Sequence, residues 1–360
     1  MLKKLLILLL IPFILCACEK NTKEEITFSS WGSVTEVRII NKIISDFEHE
    51  NPDIKVNFLH IPQNYFQKIH LLFASSQAPD VIFINNLYLP VYASRLEDLS
   101  NFAAKNSYYP ESLRALSYNG RLLAIPRDVS TLVFYRNRDL ISTTPVNLDE
   151  FMQVLKSAPE YGVSYERNVY YMFPYVMTMG EDIYNPDKSL QFYTNLEGRF
   201  APTPADIGSL TQAQMFLDGK IGLYLSGRWM YPKISEKADF DWDVITFPGI
   251  VPLDASGWAI SADSKHKEQA QKFVNYLSSP KSSEYFLNTG LVVPARIETS
   301  KKIDNKVFLD AIAGARAIQV DKDYRKTIDK MNKQFYSSWN NQNLCLSLIV
   351  QQKYLKGQQL

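Results

Sequence analysis

Strand-like and helix-like segments alternate along the first part of the chain, and this alternation limits the possible folds more than any other feature. Ile26–Trp31 and Ile54–Leu59 have the pattern of strands, and Val81–Ile84 is continuously apolar. Apolar residues recur at helical spacing from Val37 to Phe47, and a second helical segment runs from Tyr65 to about Ser75. Continuously apolar strands joined by helices are covered on both faces, so the pattern predicts an α/β fold with a parallel sheet between helices.

Shorter elements are predicted after these segments. Helices are expected near Leu89–Ser100 and Glu111–Ser117, and Tyr118–Arg121 has the composition of a hairpin turn. Val129–Tyr135 is extended and rich in β-branched residues, which predicts a further strand.

The alternation restarts in the middle of the chain. The sequence predicts a helix over Leu148–Ser157 with Asn147 as its N-cap, a helix near Leu190–Phe200 and a strand at Ile221–Leu225. A chain of 360 residues with 46% hydrophobic residues is long enough for two cores. A second α/β lobe is therefore expected.

The N-terminus has the features of an export signal. Lys3 and Lys4 precede an apolar run from Leu5 to Leu15 that is too short to span a bilayer as a helix. Leu15-Cys16-Ala17-Cys18 resembles the lipobox of bacterial lipoproteins, which predicts a signal peptide over residues 1–17 and acylation of Cys18. Plain secretory cleavage after Ala17 is the alternative. Residues 18–25 are polar and have the composition of a tether, so the folded body should begin near Ile26.

Cysteine, histidine and charge argue against several classes of protein. After maturation, Cys345 would be the only free thiol, so no internal disulfide is expected. The histidines lack the spacing of metal ligands, and neither a metal nor a cofactor is predicted; they are His49, His60, His70 and His266. The formal net charge of +1 includes Lys3 and Lys4, so the mature chain is slightly acidic and a nucleic-acid partner is not expected.

Short motifs give no evidence for an enzyme. Gly222–Arg228 has the glycine spacing of a phosphate loop but lacks its lysine and hydroxyl residue. Ser264 with Lys267, and Ser278 with Lys281, have the spacing of a nucleophile and its base without the accompanying motifs. No G-x-S-x-G sequence is present, and the spacing of the acidic residues singles out no glycosidase pair.

Aromatic and polar residues stand where predicted strands end or turns begin. They are Trp31, Asn86, Tyr175, Trp229 and Trp258. Open α/β sheets bind ligands at the carboxyl ends of strands. Aromatic faces stack on sugar rings while amide, carboxylate and guanidinium groups pair with hydroxyl groups, so this set favours a carbohydrate ligand.

Read in order, many segments resemble the extracellular solute-binding proteins of ABC importers, specifically the large sugar-binding family (family 1). The resemblance covers nearly the whole mature chain. It rests on Phe28–Trp31, Phe47–Val56, Ala78–Val81, Asn119–Pro126, Phe134–Asn137, Asp218–Leu223, Ser226–Trp229, Asp254–Ser261, Ala270–Leu277 and Thr289–Ala295. The stretch from Asn147 to Gly219 is shorter than the family pattern, and the tail after Trp339 matches it poorly.

The resemblance implies a two-lobed, periplasmic-binding-protein-like fold of type II, in which each lobe is a mixed sheet flanked by helices. The first lobe would comprise residues 26–128 and 257–310, and the second lobe residues 129–256 and 311–360. The chain would cross between the lobes near Arg127–Thr131, Pro252–Ser256 and Asp310–Arg316, with a ligand cleft between them.

The resemblance also implies the ligand contacts and the partners. Expected contacts are Trp31, Tyr65, Asn86, Arg127, Asp128, Tyr175, Arg228, Trp229, Gly257, Trp258 and Arg316. The protein would be a monomer at the periplasmic or outer cell surface, held to a membrane through lipidated Cys18. It would capture a sugar or oligosaccharide and deliver it to the transmembrane subunits of an ABC permease.

The sequence leaves four alternatives to sugar capture for a permease open. Arg127, Arg228, Arg296 and Arg316 could clamp a phosphorylated small molecule such as glycerol 3-phosphate. Tyr170-Tyr171 could serve as phenolate ligands for ferric ion. An anchored polysaccharide hydrolase would need two carboxylates about 5–10 Å apart across the cleft. A sensor or adhesin would use the same fold without a transporter.

Overall fold

The computed structural model describes residues 23–164, 166–318, 320–324 and 326–333. The predicted signal peptide, Cys18, Cys345 and the poorly matching tail lie outside the described residues. Within the described part of the chain, no helix is both long enough and apolar enough to cross a membrane.

The β-strands are short, as is usual for an α/β protein. In chain order they are β1 (Glu24–Ser30), β2 (Ile54–His60), β3 (Val81–Asn85), β4 (Ser117–Tyr118), β5 (Arg121–Leu122), β6 (Ile125–Ser130), β7 (Val133–Asn137), β8 (Tyr161–Val163), β9 (Ile221–Ser226), β10 (Trp242–Thr246), β11 (Pro252–Ile260), β12 (Val293–Pro294) and β13 (Arg316–Ala317).

The helices lie between these strands. They are α1 (Val34–Glu50), α2 (Tyr65–Ala74), α3 (Leu89–Tyr92), α4 (Pro110–Ala115), α5 (Leu148–Ser157), α6 (Val169–Met179), α7 (Asp187–Thr194), α8 (Pro204–Ile207), α9 (Gln212–Leu217), α10 (Tyr231–Lys237), α11 (Lys267–Leu277), α12 (Pro280–Leu287), α13 (Ile297–Ser300) and α14 (Val307–Gly314). Residues 326–333 are also helical and are called the last helix below.

The described residues form two main sheets, and each contains both parallel and antiparallel strand pairs. The first sheet has the order β12-β6-β11-β3-β1-β2, with β13 paired to β11. Its strands β1, β2 and β3 are parallel, as predicted, whereas β11 is antiparallel to both β3 and β6. The second sheet has the order β10-β7-β9-β8, in which only β8 and β9 are parallel.

The chain passes between the sheets at positions that differ slightly from the predicted lobe boundaries. It leaves the first sheet after Ser130 and enters the second at Val133. It returns between Thr246 and Pro252, because the ladder of β11 with β6 already begins at Asp254 opposite Ser130. Residues 252–256 and β13, which the sequence assigned to the second lobe, therefore pair within the first sheet.

Local sequence signals explain where several of the helices and strands begin and end. Asn147 caps α5 by accepting a hydrogen bond from the backbone N–H of Glu150 at 2.9 Å, as predicted. The hairpin at Tyr118–Arg121 forms, and Asn119 and Gly120 both have positive φ there. The helix predicted near Leu89–Ser100 continues past α3 as a 3-10 turn over Ala93–Arg95 and is wrong beyond it, because Leu96 forms a bridge with Ser261 and Leu99 donates its N–H to Leu122.

Candidate ligand-binding cleft

A cavity of about 370 Å³, here called the main cavity, lies where the two sheets meet. The first sheet contributes Trp31, Asn85 and Asp128 to its lining, and residues directly after β9 of the second sheet contribute Arg228 and Trp229. The ends of strands from both sheets therefore face one enclosed space, which is the usual position of a ligand site in open α/β sheets.

A second cavity of about 640 Å³, here called the aromatic cavity, continues the main cavity. The two share Trp31, Ser33 and Glu36. The further lining comes from the start of α2 and from the turn after β3, and it includes Asn64, Tyr65, Gln67 and Tyr88. The resulting space is elongated and mixes aromatic rings with uncharged polar groups.

The aromatic wall is built around Trp31, at the carboxyl end of β1. Its indole ring packs against Tyr65 at 5.7 Å, Phe66 at 5.4 Å and Phe83 at 4.9 Å between ring centroids. The hydroxyl of Tyr65 donates to the carbonyl of Ser29 at 3.1 Å, which fixes that ring below Trp31. Edge-to-face packing of this kind holds the indole in one orientation before any ligand arrives.

Trp229 forms the opposing wall and is exposed over 37% of its surface. It follows β9 in a short 3-10 turn over Arg228–Met230. The indole ring covers Gly227 so closely that a Cβ atom there would lie 2.0 Å from Trp229 Cζ3. Only glycine at position 227 permits this orientation of the indole, which lines the main cavity together with residues of the first sheet.

A buried ion cluster forms the floor of the main cavity. Arg127 Nε donates to Asp128 Oδ2, and Arg127 Nη2 lies 3.5 Å from Glu36 Oε1. Glu36 is held in place because it also forms a capping box with Ser33 at the start of α1. The Arg127 guanidinium stacks on Phe83 and Phe286 at 4.7 and 4.9 Å. Its Nη1 is buried without a protein partner.

Arg228 has a separate carboxylate partner on the other side of the cavity. Its Nη2 donates to Asp304 Oδ1 at 2.8 Å, and its guanidinium lies between the rings of Tyr231 and Phe308. The side chain is 4% exposed. The arginine is therefore neutralised in place, and its buried Nε and Nη1 remain available as donors.

A pair of carboxyl groups lies between these arginines. Asp254 in β11 opposes Ser130, and Asp128 in β6 opposes Ser256, so the two aspartates are diagonal neighbours on one face of the sheet. Burial raises the pKa of Asp254 to about 7, although the hydrogen bond from Asn85 Nδ2 at 2.7 Å lowers it. Burial also raises the pKa of Asp128, against the opposing effect of Arg127. One of the two groups can hold a proton near neutral pH.

Several residues predicted as ligand contacts lie away from both cavities. Tyr175 is 1% exposed and packs among Phe151, Phe192, Tyr193 and Phe247 in the core beneath the second sheet. Trp258 is fully buried between Phe28, Phe83 and Phe286, and its ring lies 5.5 Å from the guanidinium of Arg127. Both positions are corrected from ligand contacts to core residues, because apolar packing encloses their rings.

Three further residues that were predicted as ligand contacts also lie outside the two cavities. Gly257 lies inside the ladder of β11 with β6, where a Cβ atom would be 2.3 Å from the carbonyl oxygen of Ile125. Asn86 is 3% exposed and its Oδ1 accepts from the N–H of Ala255, so it ties β3 to β11. Arg316 is exposed and donates to the carbonyls of Ala313 and Ala315. The remaining predicted residues, which line the two cavities, are Trp31, Tyr65, Arg127, Asp128, Arg228 and Trp229.

The lining residues that were not predicted from the sequence include Glu36, Asn64, Gln67, Asn85, Tyr88 and Asp254. A signal existed for Glu36, since Ser33 and Glu36 have the spacing of a capping box next to Trp31. Asp254 lies in a segment that was expected to cross between lobes but was not itself singled out.

The paired tyrosines considered for ferric ion lie at the start of α6. Their ring centroids are 5.8 Å apart. Burial raises the pKa of both Tyr170 and Tyr171, which disfavours the phenolate form that iron requires. Among the described residues, no group of three or more His, Cys, Asp or Glu side chains is placed to hold a metal ion.

Comparison with known proteins identifies the family. A sequence model of the bacterial extracellular solute-binding proteins matches residues 31–284, a span that contains both walls of the cleft. The chain belongs to this family.

Two curated proteins that are similar to the chain bind maltotriose and maltodextrin, according to their names. The maltotriose-binding protein of Pyrococcus abyssi is 21% identical over 278 residues, covering 68% of the chain and 60% of that protein. The chain therefore spans less than two thirds of this relative. The maltodextrin-binding protein MdxE of Bacillus subtilis is 22% identical over 340 residues, covering 81% of the chain and 79% of the relative.

A solved structure shows the fold of this solute-binding protein. An ABC substrate-binding protein of Listeria monocytogenes, solved in complex with cycloalternan, superimposes with a TM-score of 0.75 at 23% identity. The superposition covers 89% of the chain and 94% of the Listeria protein. The two sheets therefore form the two-lobed α/β architecture that the sequence predicted.

Proposed function

We propose that this solute-binding protein captures a sugar or oligosaccharide in the cleft and delivers it to an ABC permease. The observation that carries the proposal is that Trp31 and Trp229 both line the main cavity, together with Asp128, and that Trp31 also lines the adjoining aromatic cavity with Asn64 and Gln67. Apolar ring faces beside amide and carboxylate groups match the alternating apolar faces and hydroxyl edges of a sugar. The maltotriose- and maltodextrin-binding relatives support the same ligand class.

Ligand capture requires no covalent chemistry in this proposal. The two lobes close on the ligand, and the closed form is the one recognised by the permease. Trp31 and Trp229 stack on the sugar, while Glu36, Asp128 and the free guanidinium hydrogens of Arg127 and Arg228 bind hydroxyl groups. The family is one of binding proteins, which supports this function over that of an anchored hydrolase.

A phosphorylated ligand is less well supported by the geometry. Arg127 is paired with Glu36 and Asp128, and Arg228 is paired with Asp304. Arg296 donates to the carbonyl of Ser278 at 2.7 Å, outside the main cavity. The four arginines therefore do not converge, and those at the cavity are already neutralised by carboxylates.

The test is a thermal-shift screen of the chain with neutral mono- and oligosaccharides, glycerol 3-phosphate and ferric citrate. Selective binding to the native state raises its melting temperature by mass action. We expect a shift with at least one neutral sugar, and we expect Trp229→Ala to remove it. Tyr285→Ala serves as the control, since Tyr285 is a half-buried aromatic residue outside both cavities. A shift with glycerol 3-phosphate alone would refute the sugar proposal.

We also propose that the protein is a monomer held at the cell envelope by lipidated Cys18. The lipobox-like sequence Leu15-Cys16-Ala17-Cys18 and the extracellular family support this location. In bacterial cells, Cys18→Ser should shift the protein from the membrane fraction to the soluble fraction. Retention in the membrane fraction would contradict the anchor while leaving sugar binding untouched.

A further inference from the structure

A third cavity of about 940 Å³, here called the basic groove, extends the cleft beyond the aromatic cavity. Tyr88 lines both, so the two spaces meet at its ring. One wall of the groove is formed by α3 and the end of α2, through His70, Tyr88 and Tyr92. The other wall is the last helix with the residues just before it. The groove thus lies at the far end of the elongated cleft.

The wall formed by the last helix carries an excess of positive charge. Lys326, Lys330 and Lys333 recur at spacings of four and three residues, and Lys322 precedes them, so the lysines share one face. Asp323 and Asp329 are the acidic residues of the same lining, which leaves a positive balance.

The charge of these lysines is compensated only in part by the two aspartates of the same lining. Within the described residues, none of the four lysines has an acidic group within salt-bridge distance, whereas Lys42, Lys55, Lys267, Lys272, Lys281, Lys301 and Lys302 each have one. Like charges at i,i+4 destabilise a helix. Four lysines against two aspartates, facing one cavity and without salt bridges of their own in the described part of the chain, are suited to bind an anion.

The last helix is fixed on the second lobe with its lysines facing the groove. Met331 is buried beside Val169 and Met172 of α6. The side chain of Asn332 accepts a hydrogen bond from the backbone N–H of Val169 at 3.1 Å. The apolar side of the helix therefore packs on α6, and its basic side faces the first lobe across the groove.

The opposite wall is aromatic and rigid. The ring of Tyr88 stacks on Phe66 with centroids 3.8 Å apart and an interplanar angle of 14°. The hydroxyl of Tyr92 donates to the carbonyl of Phe66 at 2.7 Å. An aromatic wall opposite a row of ammonium groups matches a sugar ring that carries an anionic substituent.

We propose that the ligand is an acidic oligosaccharide, whose sugar rings bind beside Trp31 and Trp229 while carboxylate or sulfate groups toward its other end lie in the basic groove. This inference rests on the sugar-binding function proposed above. A planar membrane surface fits less well, because the lysines face a concave space walled by Tyr88 and Tyr92.

The experiment compares acidic oligosaccharides with neutral counterparts of the same backbone and length, using calorimetric titration of the full-length chain in detergent. Oligogalacturonates are paired with their methyl esters, and sulfated carrageenan oligosaccharides with their desulfated forms, so carboxylate and sulfate are distinguished. We expect at least one acidic ligand to bind tenfold or more tightly than its neutral counterpart. The difference should shrink in 0.5 M salt, because screening weakens exposed charge pairs.

The variant Lys326→Gln/Lys330→Gln/Lys333→Gln should bring the affinity for the acidic ligand down to that of the neutral one, without changing the affinity for the neutral one. The control is Lys42→Gln/Lys272→Gln/Lys301→Gln, which removes the same charge from exposed lysines elsewhere. It should preserve the preference for the acidic ligand.

The outcomes separate this inference from the proposed function. Equal affinity for acidic and neutral ligands would overturn the inference and leave the sugar-binding function intact. Failure of every oligosaccharide to bind would overturn both. Binding of a Cys18→Ser chain to vesicles with anionic lipid, lost in the lysine variant and without any preference for acidic oligosaccharides, would assign the basic groove to a membrane contact instead.

Discussion

Asp254 is the residue whose ionisation should affect stability most clearly. Its pKa is raised to about 7 by burial, so between pH 4 and 7 the folded state keeps a proton that the unfolded state releases. The free energy of unfolding should therefore fall as pH rises through this range and level off above it. Between pH 5 and pH 8 the wild-type protein should lose on the order of 2 kcal/mol of its free energy of unfolding through this group, and we expect Asp254→Asn to abolish that loss.

Urea unfolding of both proteins at pH 5 and pH 8 measures this difference. The amide oxygen of the variant can still accept the hydrogen bond from Asn85. Asp98→Asn is a control, because hydrogen bonds from Ser100 lower the pKa of Asp98, so this carboxylate is ionised in both the folded and the unfolded state from pH 5 to pH 8 and its replacement should leave the pH dependence unchanged. Parallel pH dependence in the wild-type protein and Asp254→Asn would show that Asp254 is already ionised at pH 5.

Individual site residues could be predicted from the sequence only where it determines on which face of the sheet a side chain lies. Trp31 directly follows β1, Trp229 lies in the short turn after β9, and both line the main cavity. Asn86 was predicted, but the side chain of its neighbour Asn85 faces the main cavity, since successive residues of an extended segment point to opposite faces. The position of Trp258 depends on packing across the sheet, which no local pattern reveals.

Strand β11 joins the core of the first sheet to the floor of the cleft. Gly257 marks an irregularity in its ladder with β6, where a Cβ atom would lie 2.3 Å from the Ile125 carbonyl oxygen. Because that atom belongs to a paired strand, it cannot move aside without disturbing Arg127 and Asp128. We expect Gly257→Ala to reduce the free energy of unfolding by about 1–3 kcal/mol and to weaken ligand binding.

Chemical unfolding and calorimetric titration measure the two effects, with Gly314→Ala as the matched control. Position 314 ends α14, and a Cβ atom there meets nothing within 4 Å. Alanine should be neutral or slightly stabilising at that position. Wild-type stability in Gly257→Ala would mean that the ladder relaxes around the added methyl group.

Whole elements were predicted best where hydrophobic spacing and end signals agree. The helix over Leu148–Ser157, its Asn147 cap, the parallel strands β1 to β3 and the Tyr118–Arg121 hairpin are confirmed. The helix prediction for the segment after Arg95 is wrong because the apolar residues of that segment make tertiary contacts, such as the bridge of Leu96 with Ser261. Apolar spacing alone does not distinguish these contacts from those of a helix.

The arrangement of the whole molecule could not be derived from local patterns. Strand β11 inserts between β3 and β6 although 121 residues lie between Ser130, the end of β6, and Pro252, the start of β11. The two-lobed fold was predicted only through the family resemblance. Long-range antiparallel pairing of this kind leaves no signature in either strand, because each has the same alternation as a hairpin strand.

The position of the cleft predicts a motion of the whole molecule on ligand binding. Its walls belong to different sheets, and the described chain passes between those sheets through short segments such as residues 131–132. A ligand that contacts both Trp31 and Trp229 stabilises the closed form, whereas one that contacts a single wall shifts no equilibrium. We therefore expect the neutral sugar found in the thermal-shift screen to shorten distances between the lobes and leave distances within each lobe unchanged.

Spin labels at Leu71 and Val146 report on this motion, because both side chains are exposed and lie on helix α2 of the first lobe and just before α5 of the second. Serine replaces the three native cysteines, Cys16, Cys18 and Cys345, so that only the labels react. The mean distance in pulsed electron spin resonance should decrease by several ångströms with ligand, as hinge closure between lobes requires. A pair at Leu71 and Lys272, both on helices that pack on the first sheet, should keep its distance. If Trp229→Ala still closes fully at saturating ligand, the second wall contributes nothing to closure, and the ligand must bind to the first lobe alone.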